Sequence, residues 1–134
     1  MDAKVHDTPG QPMVTASDPG PGDGPRILYY GHYDVQPADP LELWDSPPFE
    51  PVRIETEEGP TIVARGSADD KGQLMMFIEA FRAWKAVTGT LPTPVQVLLE
   101  GEEESGSDSL EPFLEEHAAS LASEVCVISD TGMW

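Results

Sequence analysis

Four groups of polar side chains could do chemistry together: His32-Tyr33-Asp34, Asp69-Asp70, Glu102-Glu103-Glu104 and Asp130. Each has an ordinary explanation when taken alone. Asp69 or Asp70 could cap a helix that starts near Lys71, and three successive glutamates are usually a solvated run. His32 could be satisfied by a backbone carbonyl, and Asp130 could serve a turn before Thr131-Gly132. Brought to one place, they would concentrate negative charge at a heavy electrostatic cost unless a cation compensates. One imidazole with several carboxylates suits zinc or a similar divalent ion. A carboxylate shared by two ions would hold them roughly 3.5 to 4 Å apart, a spacing that suits two-metal hydrolysis. Cys126 is the only cysteine, so an intramolecular disulfide is impossible and metal must be held mainly by His, Asp and Glu, the ligands of zinc, manganese or cobalt.

Whether the groups meet depends on the elements between them. RILYYGHYD has the β-branched and aromatic run of a short buried strand breaking at Gly31, with His32 just past its end. Leu74, Phe77, Ile78, Phe81 and Trp84 recur at helical spacing from Lys71 to Val87, and Gly89 is placed to end the helix. PVQVLLE reads as another buried strand, SDSLEPFLEEHAASLA as a second amphipathic helix with Pro112 in its first turn, and SEVCVISD as a last strand. PVRIETEEGPTIVARG alternates about a Glu-Gly-Pro turn like a hairpin, with Ile54, Ile62 and Val63 as its apolar side chains. TASDPGPGDGP, residues 15 to 25, reads as a loop. Strand, helix, strand, helix, strand argues for an α/β sheet with parallel members, where ligands bind beyond the carboxyl ends of the strands. All four polar groups fall at that rim.

Composition narrows the partners. Seven Lys+Arg against 25 Asp+Glu give a formal charge of -18, which repels nucleic acid and anionic membranes. The chain of 134 residues suits one domain, and no apolar stretch approaches the ~20 residues needed to span a bilayer. The N-terminus lacks the basic and apolar regions of a secretory signal, so the expectation is a soluble, cytoplasmic protein.

GHYDVQP, RGSADDKG, EGEEESGS and ISD resemble, in order, the metal-site motifs of the aminoacylase, carnosinase and succinyl-diaminopimelate desuccinylase family of di-zinc metallopeptidases. GHYDVQP with WDSPPFEP is most similar to its carnosinase and nonspecific dipeptidase branch. The resemblance, from about Gly31 to Asp130, implies a zinc-exopeptidase catalytic domain, a mixed sheet with parallel strands flanked by helices. It implies two divalent ions, zinc first, with manganese or cobalt as alternatives. His32 and Asp130 match ligands of the first ion, Asp69 the bridging carboxylate, and Glu104 a ligand of the second ion. Asp34 matches the carboxylate that orients the histidine, and Glu103 the general base. The bond matching a cis peptide of the family is Asp69-Asp70. The implied reaction is hydrolysis of a peptide or related amide bond in a small peptide: a water loses its proton to Glu103, which passes it to the leaving amine.

The resemblance further implies a histidine for the second ion near the C-terminus of the whole protein, and a lid domain that supports homodimerisation. Neither is found in residues 1–134, so the expectation is the N-terminal part of a catalytic domain, by itself inactive or very weak. A non-catalytic metal-binding or interaction module, and an amino-acid deacylase or desuccinylase of the same family, are the alternatives. Glu102 has no assigned role and reads as a solvated side chain. His6 and His117 match no motif, Cys126 reads as a core residue, and Trp44 and Phe49 could equally line a cleft or pack a loop.

Overall fold

The computed structural model describes residues 1–130. A five-stranded sheet takes β1 (Asp2–His6), β2 (Met13–Asp18), β3 (Ile27–His32), β6 (Val95–Glu100) and β7 (Val125–Ile128), in the spatial order β1-β2-β6-β3-β7. β3 runs parallel to both β6 and β7, while β1, β2 and β6 pair antiparallel. The sheet is therefore mixed. β4 (Val52–Thr56) and β5 (Gly59–Val63) form a separate hairpin in the long passage from β3 to α1 (Lys71–Thr88), and α2 (Leu110–Leu121) connects β6 to β7.

Strand periodicity sends alternate side chains to opposite faces, and each face has its own core. On one side Tyr29, Leu91, Val95 and Val97 pack with Phe77 and Phe81 of α1, and the Tyr29 and Phe77 rings stack 3.9 Å apart. On the other, Met13 and Leu98 pack with Phe113 and Leu121 of α2, joined by Leu28 and Tyr30. β3 and β6 are thus held between two helices with their carboxyl ends at one rim. His32 stands in register with Glu100, and Tyr30 with Ile128, two residues before Asp130.

Several expectations change. Residues 15–18 belong to β2 rather than to a loop, since pairing with β6 (Val14 with Leu99, Asp18 with Val95) supplies the partner that local sequence does not announce. β1 and β2 precede the expected alternation and give the sheet its antiparallel side. β3 continues through Gly31 to His32. A Cβ at Gly31 would lie 2.9 Å from the Tyr29 hydroxyl and 3.0 Å from Asp70 Oδ2, so glycine there permits close approach and does not end the strand. Helix α1 ends as expected, with Gly89 in the left-handed conformation donating to the Lys85 carbonyl. Trp84 is half exposed, however, and Ile54 and Ile62 of the hairpin are exposed. Cys126 is exposed, not core, because β7 lies at the sheet edge. Thr131-Gly132 lies outside the described residues. Among the described residues, no helix is long and apolar enough to cross a membrane.

Candidate metal centre

His32 closes β3 and is held there by its neighbours: the Tyr33 N–H donates to the Glu100 carbonyl at 2.8 Å, and the His32 N–H donates to Asp70 Oδ2 at 3.3 Å. Its imidazole is fully buried. Nδ1 lies 3.2 Å from Asp34 Oδ1. Nε2 faces three carboxylates, with Asp69 Oδ1 at 3.1 Å, Asp130 Oδ2 at 3.8 Å and Glu103 Oε2 at 3.9 Å.

Despite these neighbours, Nε2 has no hydrogen-bond partner among the described residues. Asp69 Oδ1 is near enough for charge attraction without the alignment of a hydrogen bond. A buried, unbonded ring nitrogen aimed at anionic oxygens is unfavourable unless a proton or cation lies between them. The fit to a cation is direct: His32, Asp69 and Asp130 each offer a ligand atom, all within 4.8 Å of one another. An imidazole and two carboxylates are a zinc-type donor set. Asp69 is 61% exposed, so the group opens to solvent.

The same crowding shifts the site's titration. Burial pushes the His32 imidazole down, but Asp34, Asp70, Glu103 and Asp130 outweigh it and hold its pKa above the ordinary value. For Glu103, burial comes first and raises the carboxyl. His32 opposes that shift, whereas Asp130, Glu104 and Asp34 add to it, and the net direction is upward. A carboxylate in this setting is a better proton acceptor than one on an open surface.

Glu103 and Glu104 occupy a short 3-10 turn, Glu103–Ser105, just past β6. Glu103 reaches the His32 group. The Glu104 carboxylate does not belong to the three-residue cluster: its Oε2 accepts from Gln36 Nε2 at 2.5 Å. Its main-chain N–H donates to Asp34 Oδ2 at 3.0 Å.

Three carboxylates take places that sequence reasoning missed. Asp70 stands at the N-cap position of α1 but makes no capping bond, its buried carboxylate turning instead to the His32 amide. The Asp69-Asp70 peptide is cis, as the resemblance implied. Glu100 is fully buried and accepts a short hydrogen bond from the Tyr30 hydroxyl. Burial first, and Glu100 second, push that hydroxyl far above the usual phenol range. Glu102, expected to be solvated, is only 9% exposed and accepts from two main-chain amides. Glu100 alone lay outside the polar groups singled out in the sequence, and its signal was a carboxylate closing an apolar strand that must be covered on both faces.

The remaining candidates stay apart from this chemistry. His6 and His117 pack around Phe113 with their rings 5.0 Å apart, and His6 Nε2 lies 2.8 Å from Thr15 Oγ1. The Trp44 indole donates to the Ala38 carbonyl and carries the Arg65 guanidinium 5.2 Å from its ring centre, which is loop packing. Phe49 is exposed.

Known proteins resemble this chain over most of its length. The sequence pattern of peptidase family M20/M25/M40 matches residues 28–134. Human Beta-Ala-His dipeptidase is 36% identical over 94% of this chain and 24% of its own length. Cys-Gly metallodipeptidase DUG1 of Saccharomyces cerevisiae is 40% identical over 69% of the chain and 19% of its own length. The crystal structure of Sso-CP2, an M20 family metallo-carboxypeptidase from Sulfolobus solfataricus, superposes with a TM-score of 0.87 at 35% identity, over 98% of this chain and 29% of that one. The chain therefore spans about a quarter of the length of the curated relatives it matches. With its four motifs converging at the rim of a mixed α/β sheet, the chain belongs to peptidase family M20/M25/M40.

Proposed function

We propose that these residues form one wall of the active site of a hydrolase that cleaves the peptide bond of a small peptide, a dipeptide above all, with two divalent ions, zinc first. The observation that carries this reading is the buried, unbonded Nε2 of His32 facing Asp69 and Asp130. The dipeptidase names of the relatives support the choice of substrate.

In this reading His32, Asp69 and Asp130 would hold one ion, and by the family resemblance Asp69 and Glu104 would hold the other. Ions held there would supply Lewis-acid polarisation of the scissile carbonyl and a lowered pKa for the attacking water. The chain's own residues do the rest. Asp34 keeps the imidazole in the orientation that turns Nε2 toward the carboxylates. Glu103, beside the ligand group but outside it, takes the proton of the attacking water and returns it to the leaving amine. A carboxylate can shuttle a proton only while it is free of ligand duty, so two adjacent glutamates with divided roles are more useful than two ligands. The whole protein would act as a homodimer, a point supported by the family resemblance alone.

Zinc titration of the chain by calorimetry tests the reading. Binding that disappears in Asp69→Ala is the expected result; a chain that takes up no divalent ion, or an Asp69→Ala variant that binds like the parent, overturns it.

A further inference from the structure

Glu102 stands where a solvated carboxylate was expected, and its surroundings are not those of one. Oε1 accepts from the Gln11 N–H at 2.8 Å, and Oε2 from the Ser109 N–H at 2.9 Å. Its main-chain carbonyl accepts from the N–H groups of Ser105 and Ser107 at 3.0 and 2.8 Å, and from Ser105 Oγ at 3.1 Å. The residue that opens the Glu103–Ser105 turn is therefore fastened by its side chain to two other segments and by its carbonyl to the turn itself. Buried carboxylates persist where such partners exist.

The segment that receives Glu102 also receives the histidine motif. The Tyr33 hydroxyl donates to the Pro12 carbonyl at 2.6 Å, next to the Gln11 amide that Glu102 occupies. Residues 11 and 12 are thus common ground for the two strand-end segments that carry His32 and Asp34 on one side and Glu103 and Glu104 on the other. Across the site the Asp34–Glu104 bond joins the same two segments.

We propose that Glu102 is a positioning residue: seated on the Gln11 and Ser109 amides, its carboxylate fixes the Glu103–Glu104 turn against His32, and so sets how tightly the acidic site holds a divalent ion. This rests on the metal reading above. Glu102 itself touches neither the ion nor the substrate.

Gly10 offers a way to remove the carboxylate from its seat without altering the turn. A Cβ there would lie 1.4 Å from Glu102 Oε1 and 3.0 Å from Ser109 Oγ, so the carboxylate must leave its two amides to make room. Glu102→Gln leaves one oxygen for two amides, because the carboxamide nitrogen cannot accept.

The experiment is zinc calorimetry on the chain with Glu102→Gln, Gly10→Ala and the double variant, alongside thermal unfolding. Leu91→Ala serves as a control that loses stability in the core on the other face of the sheet, before β6 begins and away from its carboxyl end. Each single variant should bind zinc about 10-fold more weakly, the lower range for residues that support metal ligands. The double variant should be no weaker than the worse single, since both act through one contact. Leu91→Ala should keep parent affinity in its folded state. Variants that bind like the parent, whatever their unfolding midpoint, would make Glu102 a scaffold residue only, and additive losses would separate Gly10 from it. A parent that binds no zinc would instead overturn the metal reading, and this role with it.

Discussion

Asp34 and Glu104 are joined directly. The Glu104 N–H donates to Asp34 Oδ2 at 3.0 Å while Asp34 Oδ1 lies 3.2 Å from His32 Nδ1, so a single carboxylate braces a ligand of each proposed ion. Asp34→Asn keeps the size but gives up one acceptor and the charge. Zinc affinity, measured by calorimetry, should fall about 10- to 100-fold. An unchanged affinity would mean that His32 needs no such orientation.

Glu103→Gln removes a proton acceptor without removing a ligand. In the whole protein, turnover of a dipeptide should drop about 100- to 10,000-fold, the usual contribution of a general base, while zinc content stays near normal. Near-normal kcat with bound metal would take the base assignment away from Glu103.

The two proposed ions should differ in affinity within this chain. His32, Asp69 and Asp130 supply three ligands to one, whereas Asp69 and Glu104 supply two carboxylates to the other, leaving it mostly hydrated. Zinc titration should show one tight and one weak phase, with Glu104→Ala removing only the weak phase. Two tight phases would show that another residue completes the ligand set of the second ion.

Asp18 and Lys85 tie the end of β2 to α1, with Nζ 2.5 Å from Oδ2. The Lys85 hydrogen bond holds Asp18 below its ordinary pKa; burial opposes this and the Gly20 N–H assists it. The bond to Asp18 likewise raises Lys85. The Asp18 contribution is therefore complete above the unfolded value of 3.8 and is lost as pH falls through the lower folded one. The Lys85 contribution is complete below 10.5 and is lost as pH rises through its raised folded value. Acid also relieves repulsion among the other carboxylates, so the informative quantity is the difference between parent and Asp18→Asn. Melting curves should separate the two proteins most at neutral pH and bring them together at both extremes; a gap that persists into strong acid would deny the pair its charge.

Leu98 is 1% exposed among Met13, Phe113 and Leu121, where β6 meets α2. Leu98→Ala should cost about 2 to 5 kcal/mol, the transfer term plus the cavity left in a packed core. Chemical denaturation measures it, and a cost under about 1 kcal/mol would mean that this face collapses freely around the gap.

Local pattern was enough for much of this molecule. The spacing of Leu74, Phe77, Ile78 and Phe81 announces α1, and the apolar runs ending at His32 and Glu100 announce β3 and β6, because periodicity is carried by neighbours in sequence. The motifs around His32, Asp69, Glu103, Glu104 and Asp130 likewise named the family before any coordinate did. Tertiary structure decided the rest. Thr15 to Asp18 are strand because β6 lies beside them, and Asp70 abandons its helix cap because the His32 amide is in reach. Glu102 looks the same as Glu103 and Glu104 in a row of three. What separates it is the amide of Gln11, 91 positions away, since a carboxylate's burial depends on which donors the fold brings to it.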